Sequence, residues 1–317
     1  MVVAAAVAAL LAVAPMQTAP QDPGQTPARP SEAVDLGDIE VTGRPLDDMI
    51  RSFVGEVAEP NRRRGLARWE DRICVGVANL RADAAQFVVD RISTIAEDVG
   101  LEPGAPGCTP NILIVATDDG TALARTLVEE RRRAFRMGGS GMDRGGTALR
   151  DFVETDRPVR WWQMAVPIDS ATGMRAIRIP GECNNACTEV ADFAPQISVQ
   201  APSRLRTQIV DRLSRSIVIV DIDEVAGLSA LQLADYIAMV TLAQIDPDAD
   251  TRGYASILNV FHEPDSVDQL MDWDIAYLNG LYASEGNAVS RLSNRQEIVS
   301  AIHRAHSDLR AAETASD

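Results

Sequence analysis

The sequence contains no lysine, so all 30 of its basic residues are arginines. Without a lysine amine there is no Schiff-base nucleophile, no P-loop lysine and no kinase-type lysine, which excludes the enzyme classes built on them. Histidine is scarce as well: His262, His303 and His306 are the only three. Neither His-Glu-x-x-His nor Gly-x-Ser-x-Gly occurs. The chain therefore lacks the zinc-binding helix motif of metalloproteases and the nucleophile elbow of α/β-hydrolases.

Basic residues are outnumbered by 46 acidic ones, which gives a formal net charge of −16. This charge argues against a nucleic-acid backbone or an anionic membrane surface as a partner.

His303 and His306 lie one helical turn apart and could share a metal, but no third ligand is evident beside them. We interpret them as solvated helix residues, and the sequence predicts no cofactor and no metal site.

The N-terminus begins with an apolar run that is short for a membrane span. We interpret residues 1–19 as a signal peptide or a retained N-terminal anchor, although a basic n-region is missing; a buried helix is the alternative. Residues 20–44 are rich in Pro, Gln and Ala and are predicted to be a linker. Residues 45–317 are predicted to form a single α/β domain with a C-terminal helical extension. No membrane span is expected in the mature protein unless the N-terminal segment is retained as an anchor.

Four cysteines are present, and four cysteines allow three pairings. We predict the pairs Cys74–Cys108 and Cys183–Cys187, because the first two lie at the same end of two predicted neighbouring strands and the second two would close a small loop. A metal site built on Cys-x-x-x-Cys is the alternative. Disulfides fit a periplasmic or secreted location in the cell envelope.

The pattern of apolar residues predicts an α/β (α+β) fold with a mixed sheet and helices packed on it. A βαβ unit is expected to open it, with strands at residues 72–80 and 111–117 joined by a helix at 83–99. An edge hairpin is predicted from residues 157–169 and 174–181, and a buried strand at 216–223. Further helices are predicted at residues 45–57, 230–245, 272–282 and 294–312. Residues 197–213 fit strand and helix alike.

The helix at residues 230–245 carries the strongest site candidates, Asp235 and Tyr236. Apolar neighbours surround them, so an ionised Asp235 needs a partner, and Arg68, Arg204 and Arg206 are the candidates. A purely structural ion pair is the alternative. Trp161 and Trp162 point to opposite faces of their strand. We expect one of the two indoles, assigned to Trp162, to line a groove.

Several short segments, taken in order, resemble a family of uncharacterised exported bacterial proteins, a domain of unknown function with a zincin-like arrangement. They are Arg68-Trp69, the strand at 216–223, the helix that leads to Gln244-Ile-Asp246, Ser256-Ile-Leu-Asn-Val-Phe261 and the helix at 272–282. Metal-competent relatives carry a His-Glu pair on the helix that corresponds to residues 230–245, whereas this chain has Ala234 and Ala238 there. The resemblance implies a zincin-like fold that has lost its metal motif. We expect an exported non-catalytic binding or scaffolding protein whose partner is an unknown envelope protein or peptide. The alternative is a hydrolase of peptide or cell-wall material with an unrecognised site.

Overall fold

A mixed sheet of four strands lies at the centre of the fold. The computed structural model describes residues 45–61, 64–70, 72–135, 141–178, 182, 189–199, 203–288 and 290–316. The strands of this part of the chain are β1 (Arg72–Ile73), β2 (Val75–Ala78), β3 (Glu102–Pro103), β4 (Ile112–Thr117), β5 (Val159–Asp169) and β6 (Ile209–Asp221). The sheet has the order β2-β4-β6-β5: β2, β4 and β6 are parallel, and β5 is antiparallel to β6. β1 and β3 form a separate parallel pair.

Helices cover both faces of the sheet. They are α1 (Leu46–Val57), α2 (Ala82–Asp98), α3 (Gly120–Glu130), α4 (Arg132–Phe135), α5 (Gly146–Glu154), α6 (Ala230–Leu242), α7 (Asp272–Ala283) and α8 (Arg291–Ser316). The larger apolar core contains α1, α2, α6, α7 and α8, and the smaller one contains α3, α4 and α5. β6 supplies both cores, because Val218 and Ile219 are neighbours that point to opposite faces.

The predicted α/β class is confirmed, and so is the opening βαβ unit. β2 and β4 pair in parallel, with Val75 opposite Ile112, and α2 connects them. Disulfide Cys74–Cys108 forms as predicted, with a Cα–Cα distance of 6.1 Å. Cys183 and Cys187 lie outside the described residues, so their pairing stays a prediction.

Two sequence-based boundaries were wrong. β6 begins at Ile209 rather than at residue 216. Its first half pairs with β5 beyond a register shift at Met164/Ala165. The sequence did not reveal this half because its residues are only partly buried. The second arm of the predicted hairpin is not a strand where it is described: it makes one isolated bridge, between Ile168 and Arg175. Residues 179–181 of that arm are outside the described part of the chain.

Helix α6 is the most buried helix that the structure describes. Ser229 accepts a hydrogen bond from the Gln232 amide and the Gln232 side chain accepts one from the Ser229 amide, which is a capping box. Every residue from Ala234 to Leu242 is buried. The helix therefore lies inside the larger core rather than on the surface. No helix in the described part of the chain combines the length and apolar character needed to cross a membrane.

Candidate functional site

Asp235 is fully buried on α6 and is saturated by hydrogen bonds. The Arg91 guanidinium of α2 donates to both carboxylate oxygens, at 2.5 Å and 2.9 Å. The Leu270 amide donates to one of those oxygens as well, at 2.7 Å. The partner predicted from sequence was wrong: it is Arg91 and not Arg68, Arg204 or Arg206. The contact joins α6 to α2, so this carboxylate has a structural role in the geometry described here.

A second buried carboxylate, Asp274, holds the segment that follows α6. It accepts hydrogen bonds from the Ser256 hydroxyl at 2.6 Å and from the amides of Ile257 and Met271 at 2.7 Å and 3.0 Å. Burial raises the pKa of Asp274 to about 6, although these hydrogen bonds favour the charged form. Because Asp235 and Asp274 bind consecutive amides, of Leu270 and Met271, the two carboxylates fix this loop at the start of α7.

The last carbonyl groups of α6 are bonded by side chains from distant parts of the chain. Gln163 of β5 donates to the carbonyls of Val240, Thr241 and Ala243. Trp69 also donates to Thr241, at 2.8 Å, and Tyr282 of α7 donates to Leu242, at 2.8 Å. The Trp161 indole bonds the carbonyl of Ile245, just past the helix, at 3.3 Å. Helix ends leave carbonyls without partners in the helix, and here buried side chains satisfy them.

Tyr236 lies on another side of α6 and lines a cavity of about 180 Å³. The cavity wall contains the aromatic rings of Trp161, Tyr236 and Phe261; the Tyr236 and Phe261 rings meet edge to face with centroids 4.9 Å apart. Arg157 and the exposed His262 also line it. Burial raises the pKa of Tyr236 above its usual value, so the hydroxyl keeps its proton and can donate a hydrogen bond. Sequence reasoning identified Tyr236 but not the cavity, whose walls come from three separate segments.

The remaining predicted site residues are not brought together. Arg68 donates to the carbonyls of Leu281, Tyr282 and Ser284 at the end of α7, and its burial lowers its pKa. Arg204 is exposed, and the exposed Arg206 forms an ion pair with Glu285. Arg68 therefore caps the end of α7, Arg204 and Arg206 lie on the surface, and none of the three bonds Asp235.

The prediction that Trp162 lines a groove was wrong. The side chain is 1% exposed, packs in the smaller core against Phe152, and donates to the carbonyl of Phe135 at 2.8 Å. Trp161 is the indole that faces a cavity. Alternation along a strand places the two rings on opposite faces, but it does not tell which face is left open.

Sequence reasoning missed a cluster of charged groups beside the end of α1. Arg144 forms an ion pair with Glu59, and its guanidinium lies 3.8 Å from Asp246. Burial raises the pKa of Glu59 to about 7, against the opposing effect of Arg144. Because 187 residues separate Glu59 from Asp246, no local motif could have revealed the cluster.

The histidines are separated in the described structure. The His303 Nε2 lies 3.5 Å from an Asp47 carboxylate oxygen, whereas His306, which the sequence predicted to be solvated, is buried and packs its ring against Trp273. His262 is at the rim of the Tyr236 cavity. Within the described ranges, no three His, Cys, Asp or Glu side chains are grouped so that they could hold a metal ion.

Comparison with known proteins returned no match: no family model, no curated protein and no solved structure resembles the chain significantly. Function must therefore be argued from the site itself.

Proposed function

We propose that this protein is an exported, non-catalytic binding or scaffolding protein of the bacterial cell envelope, built on a zincin-like scaffold. The observation that carries the proposal is the state of Asp235. Hydrolysis catalysed by a bound zinc ion needs three protein ligands to the metal and an open coordination position. On α6, Ala234 and Ala238 cannot bind a metal, and both oxygens of Asp235 are engaged by Arg91.

Binding is supported by the cavity at Tyr236, since ligand sites are concave and mostly apolar with few polar groups. Export is supported by the Cys74–Cys108 disulfide, which persists in oxidising compartments, and by the apolar run at residues 1–14. The partner we propose is an envelope protein or peptide.

Fractionation and metal analysis of the full chain test this proposal. We expect the protein in the periplasmic or secreted fraction, with substoichiometric metal after desalting and no chelator-sensitive hydrolysis of peptides or cell-wall material. Stoichiometric zinc that is lost in the His303→Ala/His306→Ala double variant would contradict the proposal and favour a hydrolase. A cytoplasmic protein with reduced cysteines would contradict export.

A further inference from the structure

The cavity at Tyr236 lies beside the first residues of β5, the antiparallel edge strand of the sheet. Val159, the first residue of β5, pairs with Val220 near the end of β6, and Val159 also lines the cavity. The opposite walls come from the segment after α6, with Ile245, and from the turn that contains Leu258.

Among the residues that the structure describes, none accepts or donates a hydrogen bond at the Tyr236 hydroxyl. Only 8% of the Tyr236 surface is exposed. No residue of the described chain bonds its hydroxyl, and the hydroxyl is not among the polar atoms sealed off by protein. It therefore meets the open space that the residue lines. A hydroxyl that is reached from the cavity can donate a hydrogen bond to an acceptor atom of a ligand placed there.

The charged groups at the rim balance one another. Arg157 donates to the carbonyl of Pro247 and to the carboxylate of Asp248, the latter at 2.7 Å. Asp246 lies on the lining and is 3.8 Å from the guanidinium of Arg144. Because Arg157 already faces a carboxylate and Asp246 already lies near a guanidinium, a charged ligand gains little attraction and loses its hydration. The site thus favours a neutral ligand.

Size and wall chemistry limit the ligand further. An apolar cavity of about 150 Å³ accepts a benzene ring, so the 180 Å³ here fits one ring with a small polar substituent. Three aromatic side chains line the space, and aromatic rings prefer edge-to-face and offset contacts with another ring. A saturated ring of the same size loses these contacts.

We propose that this cavity is a binding site for a neutral, single-ring aromatic group whose acceptor atom accepts a hydrogen bond from the Tyr236 hydroxyl. The inference rests on the proposed binding function and specifies its ligand class. The aromatic group can belong to a free small molecule or to a side chain of a peptide, and both present the same chemistry to the cavity.

Titration of the full chain with benzamide, followed by calorimetry and ligand-observed NMR, tests the proposal. We expect one molecule bound per chain. Tyr236→Phe keeps the ring and removes the donor, so it should weaken binding by about five- to tenfold, the value of one hydrogen bond. Leu258→Trp fills the cavity from its half-exposed wall and should abolish binding. Both variants should retain the far-ultraviolet circular dichroism of the parent.

Matched compounds separate the features of the ligand. Cyclohexanecarboxamide, which lacks the aromatic ring, and benzoate, which carries a charge, should both bind more weakly than benzamide. A capped Ala-Phe-Ala peptide that binds more tightly than benzamide, with the same dependence on Tyr236 and Leu258, would identify a peptide as the source. Weaker peptide binding would identify a small molecule.

No benzamide binding at millimolar concentration, or equal affinity for the parent and for both variants, would overturn the inference. Such a result leaves the proposed function standing if fractionation and metal analysis agree with it. Conversely, stoichiometric zinc together with Tyr236-dependent benzamide binding would overturn only the non-catalytic assignment.

Discussion

Two tyrosines of α7 show how differently one residue type is used in this core. Tyr282 donates its hydroxyl to the carbonyl of Leu242, whereas the hydroxyl of Tyr277 is buried without a partner among the described residues. Burial raises the pKa of both phenols above the usual value. The apolar ring of Tyr277 is well placed, against Phe53 at 5.8 Å, but its polar atom is not used.

Tyr277→Phe should therefore leave the free energy of unfolding unchanged or raise it by about 1 kcal/mol, because an unsatisfied buried hydroxyl is removed. Tyr282→Phe is the matched control and should cost about 0.5–1.5 kcal/mol, since it deletes a made hydrogen bond. Denaturant unfolding measures both. A clear loss of stability in Tyr277→Phe would mean that its hydroxyl has a partner after all.

The Arg91–Asp235 pair supports a second prediction on single residues. Arg91→Met leaves the fully buried carboxylate without its main partner and should cost about 3–5 kcal/mol. Arg72→Met removes an ion pair with Glu102 whose side chains are 67% and 76% exposed, and it should cost less than about 1 kcal/mol. Equal losses in urea unfolding would refute the distinction between the two pairs.

The contact between α7 and α8 depends on a glycine. A Cβ at Gly280 would lie 2.4–2.7 Å from atoms of Ile302, including its backbone. Such a distance leaves no room for a Cβ atom, so α8 can approach α7 this closely only because residue 280 has no side chain.

Gly280→Ala should force the two helices apart and cost about 1–3 kcal/mol. Gly55, in the last turn of α1, has nothing within 4 Å of its would-be Cβ. Gly55→Ala should therefore stabilise the protein by about 0.5–1 kcal/mol, through the lower entropy of the unfolded chain. Thermal unfolding of both variants tests the packing, and stabilisation by Gly280→Ala would contradict it.

Glu59 links the end of α1 to Arg144 and Asp246, and it makes stability depend on pH. Its pKa is raised from 4.5 to about 7 in the folded protein, mainly by burial. The folded state thus binds this proton more tightly than the unfolded state does. The contribution of Glu59 to stability is therefore greatest below pH 4.5 and falls as the pH rises to about 7.

Glu59→Gln removes this titration. Relative to the parent, we expect the variant to gain stability as the pH is raised through the interval 4.5 to 7, and to change no further above it. Unfolding curves of both proteins over a pH series give the difference, in which the titration of all other groups cancels. A difference that is constant with pH would show that the pKa of Glu59 is not raised.

Much of the fold could be predicted from sequence at the scale of elements. Short apolar runs gave β2, β4 and the end of β6, and Ser229 with Gln232 marked the start of α6. The first half of β6 was missed because its polar residues are only partly buried. The partner of Asp235 was missed because Arg91 lies 144 residues away on another helix. Periodicity shows which side chains are buried but not which of them meet.

At the scale of the whole molecule, the Cys74–Cys108 disulfide joins residues 34 positions apart. A closed loop of this length stabilises the folded state by about 3–4 kcal/mol in the chain-entropy model. The Cys74→Ser/Cys108→Ser double variant should lose about that much in denaturant unfolding. The predicted Cys183–Cys187 pair would close a far shorter loop, so Cys183→Ser/Cys187→Ser should lose less.

Thiol labelling of the native protein should find no free cysteine, which tests the second pair. Two or more labelled thiols would contradict the predicted pairing of Cys183 with Cys187.

The bonds at the end of α6 have a consequence for how the molecule opens. A segment opens locally, and exchanges its amide protons, at low free energy when few buried contacts hold it. The carbonyls near the end of α6 are bonded by Trp69, by Gln163 and Trp161 of β5, and by Tyr282 of α7. Releasing that end breaks contacts with three distant stretches at once. The amides of α6 should therefore exchange with deuterium only when Trp69, β5, α6 and α7 unfold together, so these four parts of the chain should behave as one cooperative unit.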